Sequence, residues 1–443
     1  MKKIYLLTLG CPRNLIDSET LSSLLKKKGF LPVDSPDNAD IAIVNTCGFI
    51  RDAKDESIEM ILRLAELKRS KKIKILIVTG CLSQRYPFEL NKEIPEIDGV
   101  FGTSDFKDIP EKLEKLLLGQ KVVKISKNPK FLFDEESGRD MLTPSHYAYL
   151  KTQEGCSNLC SYCVIPSLRG PLTSKSIDSI LREADGLLNK NNVKELILVA
   201  QDLTVFGYDR NGIGQLPELL TKLSPIAGEN KWLRLLYCHP AHFTDALIDS
   251  ISSLPNVLKY IDLPIQHIND RILGAMNRGV TKKEIINLIA RIRKNIPEAV
   301  IRTSIIVGFP GETEEEIKEL LDFMAEIKFE RLGTFMFSRE EGTPAYSLPR
   351  HVPDSVKQER FNRVMELQQE ISADNNIKYF NKTFKVLIDE SSPEEGFYLG
   401  RSYMDAPEVD GVVNIKGAGL KVGEFHNIKI TGTMEYDLEG IPK

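Results

Sequence analysis

The run Gly155-Cys156-Ser157-Asn158-Leu159-Cys160-Ser161-Tyr162-Cys163 sets three cysteines at the spacing C-x3-C-x2-C. A loop this short can turn three thiolates toward one centre. Thiolates are soft ligands and suit an iron–sulfur cluster. Three ligands on a four-iron cluster leave one iron without a protein ligand, and that open position can take a small molecule. A zinc knuckle lacking its fourth ligand and idle thiols are the competing readings. Structural zinc sites are normally closed by four ligands, which favours the cluster.

Upstream of this loop, apolar runs alternate with helical patterns. Ile4–Leu9, Ile41–Asn45 and Ile73–Thr79 read as strands, with helices near Asp17–Lys28 and Ala53–Lys68. That alternation predicts a doubly wound parallel sheet. The opening Met1-Lys2-Lys3-Ile4-Tyr5-Leu6-Leu7 is too short an apolar run for a signal peptide and reads as the first strand. A cysteine stands at or just past the end of each strand: Leu9-Gly10-Cys11, Asn45-Thr46-Cys47 and Thr79-Gly80-Cys81. The carboxyl ends of such strands line one edge, where ligands bind. Free cysteine often serves as a small buried hydrophobe. Three at equivalent topological points instead indicate a second cluster, again with an open iron. Cys238, after the strand Trp232–Tyr237, reads as packing.

Downstream, strands read at His146–Lys151, Glu195–Ala200, Leu233–Tyr237, Leu258–Asp262, Val300–Val307 and Leu332–Phe337, with helical patterns between them. The repetition suits an incomplete (β/α) barrel of six units, whose active site lies at the carboxyl ends of the strands. Polar residues there include Gln201, Asp202, Gln266, His267, Arg302 and Ser304. Gly308-Phe309-Pro310-Gly311-Glu312-Thr313 reads as a structural turn, with Glu312 or Thr313 capping the next helix. The cysteine loop resembles that of the radical S-adenosylmethionine superfamily. The resemblance implies the partial barrel and S-adenosylmethionine on the open iron. It places Tyr162 beside the cofactor, with Gln201, Gln266 and Arg302 as expected cofactor contacts.

After a helical pattern over Val356–Tyr379, short glycine-punctuated strands read at Thr383–Asp389, Gly396–Ser402, Gly411–Ile415 and His426–Thr431. They predict a small all-β barrel, and the region resembles a TRAM domain, a module that commonly binds RNA. Residues 382–443 hold seven Lys/Arg against eleven Asp/Glu. RNA binding draws on phosphate neutralisation by basic residues, so an acidic module fits a basic protein partner better. Asp405, Glu408 and Asp410 read as a loop whose charges reach such a partner.

The expected fold class is therefore α/β: an N-terminal doubly wound parallel sheet domain over 1–125, a central partial (β/α)6 barrel over 140–375 and a C-terminal small all-β barrel over 380–443. A hydrophobic content of 42% and a charged content of 28% are ordinary for a soluble protein. The net charge of −4 gives no general pull toward nucleic acid. No apolar stretch of about 18 residues exists, so no membrane span is expected. In a reducing cytoplasm, cysteines serve as ligands rather than disulfides.

This domain order resembles the methylthiotransferase family over essentially the whole chain. Leu9-Gly10-Cys11-Pro12-Arg13-Asn14-Leu15-Ile16-Asp17-Ser18-Glu19 looks like the RimO branch, as do Asn45-Thr46-Cys47-Gly48-Phe49-Ile50 and Val199-Ala200-Gln201-Asp202-Leu203-Thr204. The tRNA-modifying branch usually has Gln-Met at Pro12-Arg13. The resemblance implies two [4Fe-4S] clusters, on Cys11, Cys47 and Cys81 and on Cys156, Cys160 and Cys163. It also implies S-adenosyl-L-methionine and a flavodoxin- or ferredoxin-like electron donor. The implied reaction adds a methylthio group to the β-carbon of one aspartate in small-subunit ribosomal protein twelve, without direct tRNA binding. An unactivated C–H bond has no acidic proton, so its cleavage calls for radical chemistry supplied by a cofactor. A two-cluster electron carrier is the reading from another class, and it would not need a barrel with a polar rim.

Overall fold

Successive residues of Ile41–Thr46 and Ile75–Gly80 leave the backbone on opposite sides, and both sides are buried. Ile41, Ile43, Ile75 and Ile77 pack with Leu21, Leu25, Leu113 and Leu116 on one face. Ala42, Val44, Leu76 and Val78 pack with Ile61, Leu64 and Leu90 on the other. Burial of both faces requires helices above and below the sheet. The computed structural model describes residues 2–129 and 138–443. Its first sheet is parallel, in the order Leu31–Val33, Lys3–Thr8, Ile41–Thr46, Ile75–Gly80, Gly99–Phe101, Val122–Lys124. The order reverses between Lys3–Thr8 and Ile41–Thr46, and a reversal opens a crevice at the carboxyl ends of the two strands. Cys11 and Cys47 follow those two strands. The helix Pro12–Lys27 begins five residues before the expected Asp17. Pro12 occupies its first turn, where no backbone N–H is needed, and Cys11 is the residue before it.

Six further parallel strands form the middle of the chain: Tyr147–Lys151, Glu195–Val199, Trp232–Leu235, Tyr260–Asp262, Val300–Val307 and Arg331–Met336. They lie as two groups of three, joined through a Leu233–Val257 bridge and the Cys238 N–H donating to Asp262 O. The helices Ile177–Asp185, Leu216–Ala227, Asp245–Ser253, Lys282–Asn295 and Glu314–Ile327 cover the outside around one continuous apolar core. Cys238 is buried in that core. The Gly308–Thr313 turn is structural as expected: Thr313 and Glu316 form a capping box, and Glu312 accepts the Gly308 N–H and an Arg360 N–H. The barrel is an open arc, and the N-terminal helix Pro12–Lys27 packs against its edge strand Tyr147–Lys151.

The C-terminal strands Thr383–Ser391, Phe397–Arg401, Val413–Lys416, Leu438–Pro442 and Phe425–Thr433 close into a barrel. This small barrel caps the amino ends of the central strands. Tyr147, Trp232, Leu258, Tyr260 and Val300 share an apolar cluster with Leu387, Met404, Ala406 and Val413. The acidic loop points inward, not toward solvent, which corrects the expectation for Asp405 and Asp410. Asp405 is buried and accepts two bonds from Arg331, at 2.6 and 3.0 Å. Asp410 accepts from the Tyr260 hydroxyl at 2.6 Å and pairs with Arg302. Glu408, though exposed, accepts from the Tyr147 hydroxyl. The reason is charge matching: the central barrel presents buried arginines at this end, and burial demands a counter-ion. Asp405→Ala should therefore lower stability by about 3–5 kcal/mol, because it strands Arg331 without an anion. A fall in the chemical-denaturation midpoint checks this, and an unchanged midpoint contradicts it.

Candidate functional site

Asn14 organises the first cysteine set. It is fully buried in the first turns of Pro12–Lys27. Its Nδ2 donates to Leu9 O and Thr46 O, both at 2.9 Å, tying together two strand ends. Its Oδ1 lies 3.9 Å from Cys81 Sγ and accepts from Arg169. Gly10 has φ +89°, and a Cβ there would lie 2.8 Å from Cys47 Cβ and 3.1 Å from its Sγ. Only glycine allows that approach. Cys11, Cys47 and Cys81 thus converge from three strand ends. Burial pushes the Cys47 thiol up to about 12, with the nearby Cys81 and Cys11 adding to it. Burial also raises Cys81. At Cys11 burial is outweighed by the Arg13 and Arg169 charges, so its pKa falls.

The second set sits in a loop pinned on several sides. Gly155 has φ +74°, and a Cβ there would lie 2.1 Å from Pro171 O. Asn158 Nδ2 donates to Asp202 Oδ2 at 2.7 Å. Ser161 donates through N to Met276 O and through Oγ to Ala275 O, and its carbonyl accepts the Ala345 N–H. Arg278 Nη1 reaches Cys160 Sγ at 3.4 Å and the Tyr162 hydroxyl at 3.3 Å. Burial pushes Cys156 up to about 11 and Cys163 up to about 12. The Arg13 charge opposes that shift at both, so Arg13 is felt by both cysteine sets.

Among the other expected residues, Tyr162 lies within this cysteine loop, its hydroxyl toward Arg278. Gln201 donates to Glu154 Oε1 at 2.7 Å, and its own Oε1 is buried without a partner. Gln266 has φ +73°, and its backbone bonds Ser304 O and Ile306 N. Arg302 is the third residue of its strand, held by Asp262 at 3.0 Å and by Asp410 of the C-terminal barrel at 3.3 Å. Asp202 accepts from Thr204, Asn158 and His242. It lies close to His239 and His242, and with those bonds made it serves as a strut for the cysteine loop. A surface groove lined by Trp232, Leu258, Lys259, Lys385 and Tyr403 lies beside the C-terminal barrel, at the opposite end of the strands from the cysteines.

Sequence reasoning did not single out the charged residues that lock the two cysteine sets together. Lys151 Nζ reaches Asp17 at 2.6 Å and Glu154 at 2.8 Å; Arg169 reaches the same two carboxylates at 3.0 and 3.1 Å. All four side chains are buried. Asp17 comes from the first sheet domain and the other three from the barrel, so the network fixes one domain on the other. A second tie joins Glu340 to Lys54 and Arg85. The signal available in the sequence was weak, because each of these residues looks like an ordinary surface charge until the domains meet.

Residues 3–102 match the family described as Uncharacterized protein family UPF0004, residues 150–324 the Radical SAM superfamily and residues 382–442 the TRAM domain. A ribosomal protein uS12 methylthiotransferase RimO of Clostridioides difficile (strain 630) is 47% identical over 441 residues, covering 99% of this chain and 98% of its own. One of the same description from Desulforamulus reducens is 49% identical over 442 residues, covering 99% of both. Among solved structures, the radical S-adenosylmethionine methyltransferase TsrM from Kitasatospora setae, with cobalamin and a [4Fe-4S] cluster bound, aligns with a TM-score of 0.56 at 16% identity. That alignment covers 78% of this chain and 77% of the other, and it is a likeness of fold.

Proposed function

Since the chain belongs to the family of ribosomal protein uS12 methylthiotransferases RimO, we propose that it adds a methylthio group to the β-carbon of an aspartate in uS12. Cys11, Cys47 and Cys81 would hold one [4Fe-4S] cluster, and Cys156, Cys160 and Cys163 the other. The observation that carries this reading is the gathering of Cys11, Cys47 and Cys81 at one sheet edge around Gly10 and Asn14, in a domain locked onto the loop of the second three cysteines by the Asp17–Lys151–Glu154–Arg169 network.

The donor set fits such groups. All six thiols are free, and the shifts at Cys47, Cys81, Cys156 and Cys163 favour the neutral form in the absence of metal. Iron takes thiolate, so loading expels protons. Arg13 and Arg169 beside the first set, and Arg13 and Arg278 beside the second, supply the positive charge that stabilises anionic sulfur. The clusters and S-adenosylmethionine supply sulfur, a methyl group and the radical that removes hydrogen from an unactivated carbon. The chain's own work is positional. Asp202 and Ser161 hold the central loop, Asn14 holds the strand ends, and the Asp17–Lys151–Glu154–Arg169 network holds one set against the other. Such placement is where rate enhancement arises when the cofactor does the chemistry.

The acidic C-terminal barrel supports a basic protein as substrate. Its exposed acids include Glu390, Glu394 and Glu395 near the turn joining its first two strands, together with Glu424, Glu435 and Glu439. A protein substrate of the ribosome places the reaction in the cytoplasm, with a low-potential flavodoxin- or ferredoxin-like donor. Among the described residues no helix is long and apolar enough to cross a membrane. Mass spectrometry of uS12 and tRNA from cells lacking this protein tests the reading. The methylthio group should vanish from uS12 and persist on tRNA; loss from tRNA with uS12 still modified would overturn it.

A further inference from the structure

Buried arginines in this protein are matched to carboxylates almost throughout. Arg139 pairs with Glu183, Arg169 with Asp17 and Glu154, Arg234 with Glu195, Arg331 with Asp405, and Arg360 with Glu312. Arg278 and Arg13 depart from that pattern: Arg278 is taken up by Cys160 Sγ, the Tyr162 hydroxyl and Pro264 O, which leaves Arg13. Its Nη1 donates to the carbonyl of Ala200 at 2.5 Å. Its guanidinium lies over the Tyr237 ring at 4.7 Å from the centroid. Its Nε is buried and has no hydrogen-bond partner. The charges that act on it most come from Cys11, Tyr237 and Arg169, none of them a carboxylate. Its neighbouring anion is the Cys11 thiolate rather than a carboxylate, and its Nε is left unpaired, so the guanidinium keeps hydrogen-bonding capacity for an anion that arrives from outside.

The platform beneath it is itself held in an uncommon conformation. Tyr237 has φ +63°, a region that bulky residues rarely enter and that concentrates at ligand sites. Its N–H donates to Asp262 Oδ2 at 2.8 Å and its carbonyl accepts the Leu203 N–H at 2.9 Å. The ring is thereby presented under Arg13, at the carboxyl end of Trp232–Leu235. From there the Arg13 charge reaches Cys11 on one side and Cys156 and Cys163 on the other.

We propose that Arg13 is the residue that grips the side-chain carboxylate of the substrate aspartate. This rests on the methylthiotransferase reading above and names the group that orients its substrate. A planar guanidinium matches a carboxylate with two parallel hydrogen bonds. In aspartate the β-carbon is bonded directly to that carboxylate, so holding one fixes the other between the two cysteine sets. An amide in place of the carboxylate loses the charge and one acceptor. The methionyl carboxylate of S-adenosylmethionine has the same chemistry and is the rival occupant.

The test uses the reconstituted holoenzyme as wild type, Arg13→Met and Arg13→Lys. Each is titrated with uS12 and with uS12 carrying asparagine at the target aspartate, and S-adenosylmethionine affinity is read separately. Wild type should prefer the aspartate form about 10- to 100-fold, the range expected of a charge-assisted hydrogen-bonded pair. Arg13→Met should bind both forms equally, and Arg13→Lys should recover part of the preference. Comparing two ligands on one variant removes any general folding defect from the answer. A preference that survives in Arg13→Met overturns the proposal. So does a variant that loses S-adenosylmethionine affinity and keeps the aspartate preference, which assigns the guanidinium to the cofactor. A wild type that binds neither form of uS12 overturns the methylthiotransferase reading as well.

Discussion

Cys160→Ala abolishes reductive cleavage of S-adenosylmethionine while leaving iron at the N-terminal site: this is the largest effect expected of any single substitution in the chain. Cys160 is the middle cysteine of the loop and the one that Arg278 addresses, at 3.4 Å. Two remaining thiolates cannot hold a four-iron cluster with one iron already open. The loop itself should keep its path, because the bonds of Ser161 to Met276, Ala275 and Ala345 and of Asn158 to Asp202 do not involve the thiol. The measurement is 5′-deoxyadenosine formed under reducing conditions, with iron counted on the same sample. Undiminished 5′-deoxyadenosine would remove this loop from the radical chemistry.

Replacing Cys11, Cys47 and Cys81 together by alanine has the complementary outcome. Bound iron should fall from about eight to about four per chain. Cleavage of S-adenosylmethionine should persist and methylthio transfer to uS12 should drop below detection. The sheet edge should survive, since Asn14 still bonds Leu9 and Thr46, and Asn45 still bonds Asn14 O and Ser18. Full iron in the triple variant would show these cysteines to be packing residues.

Much of the fold was legible before any coordinates. Strands buried on both faces are written as continuous apolar runs, so Ile41–Thr46 and Ile75–Gly80 announced themselves. A thiolate set needs close spacing or equivalent strand ends, and both patterns stand in the chain. Local rules misled where pairing decided the outcome. Leu438–Pro442 lies beyond the last strand expected from the sequence, His426–Thr431, yet it is the strand that closes the C-terminal barrel, parallel to Val413–Lys416. Strand propensity is mostly a matter of fit against neighbours, and one of those neighbours, Val413–Lys416, lies outside the local hairpin with Phe425–Thr433. The helix expected from near Asp17 begins instead at Pro12, because proline at a first helical turn starts the helix there.

Sequence alone determined the order of the three folded units and displayed the spacing of the six cysteines proposed as ligands, because hydrophobic period and cysteine spacing are local properties. Tertiary structure alone decided what the charges do. Asp405 and Asp410 looked like bait for a basic partner and are instead counter-ions to Arg331 and Arg302. Asp17, Lys151, Glu154 and Arg169 looked like surface residues and are the buried joint between two domains. Arg13 has no such carboxylate partner among the described residues, and neither does Arg278, which turns to Cys160, Tyr162 and Pro264 instead. A charge has no fixed role until its partners and its distance from water are set, and both depend on segments 74 to 152 residues away.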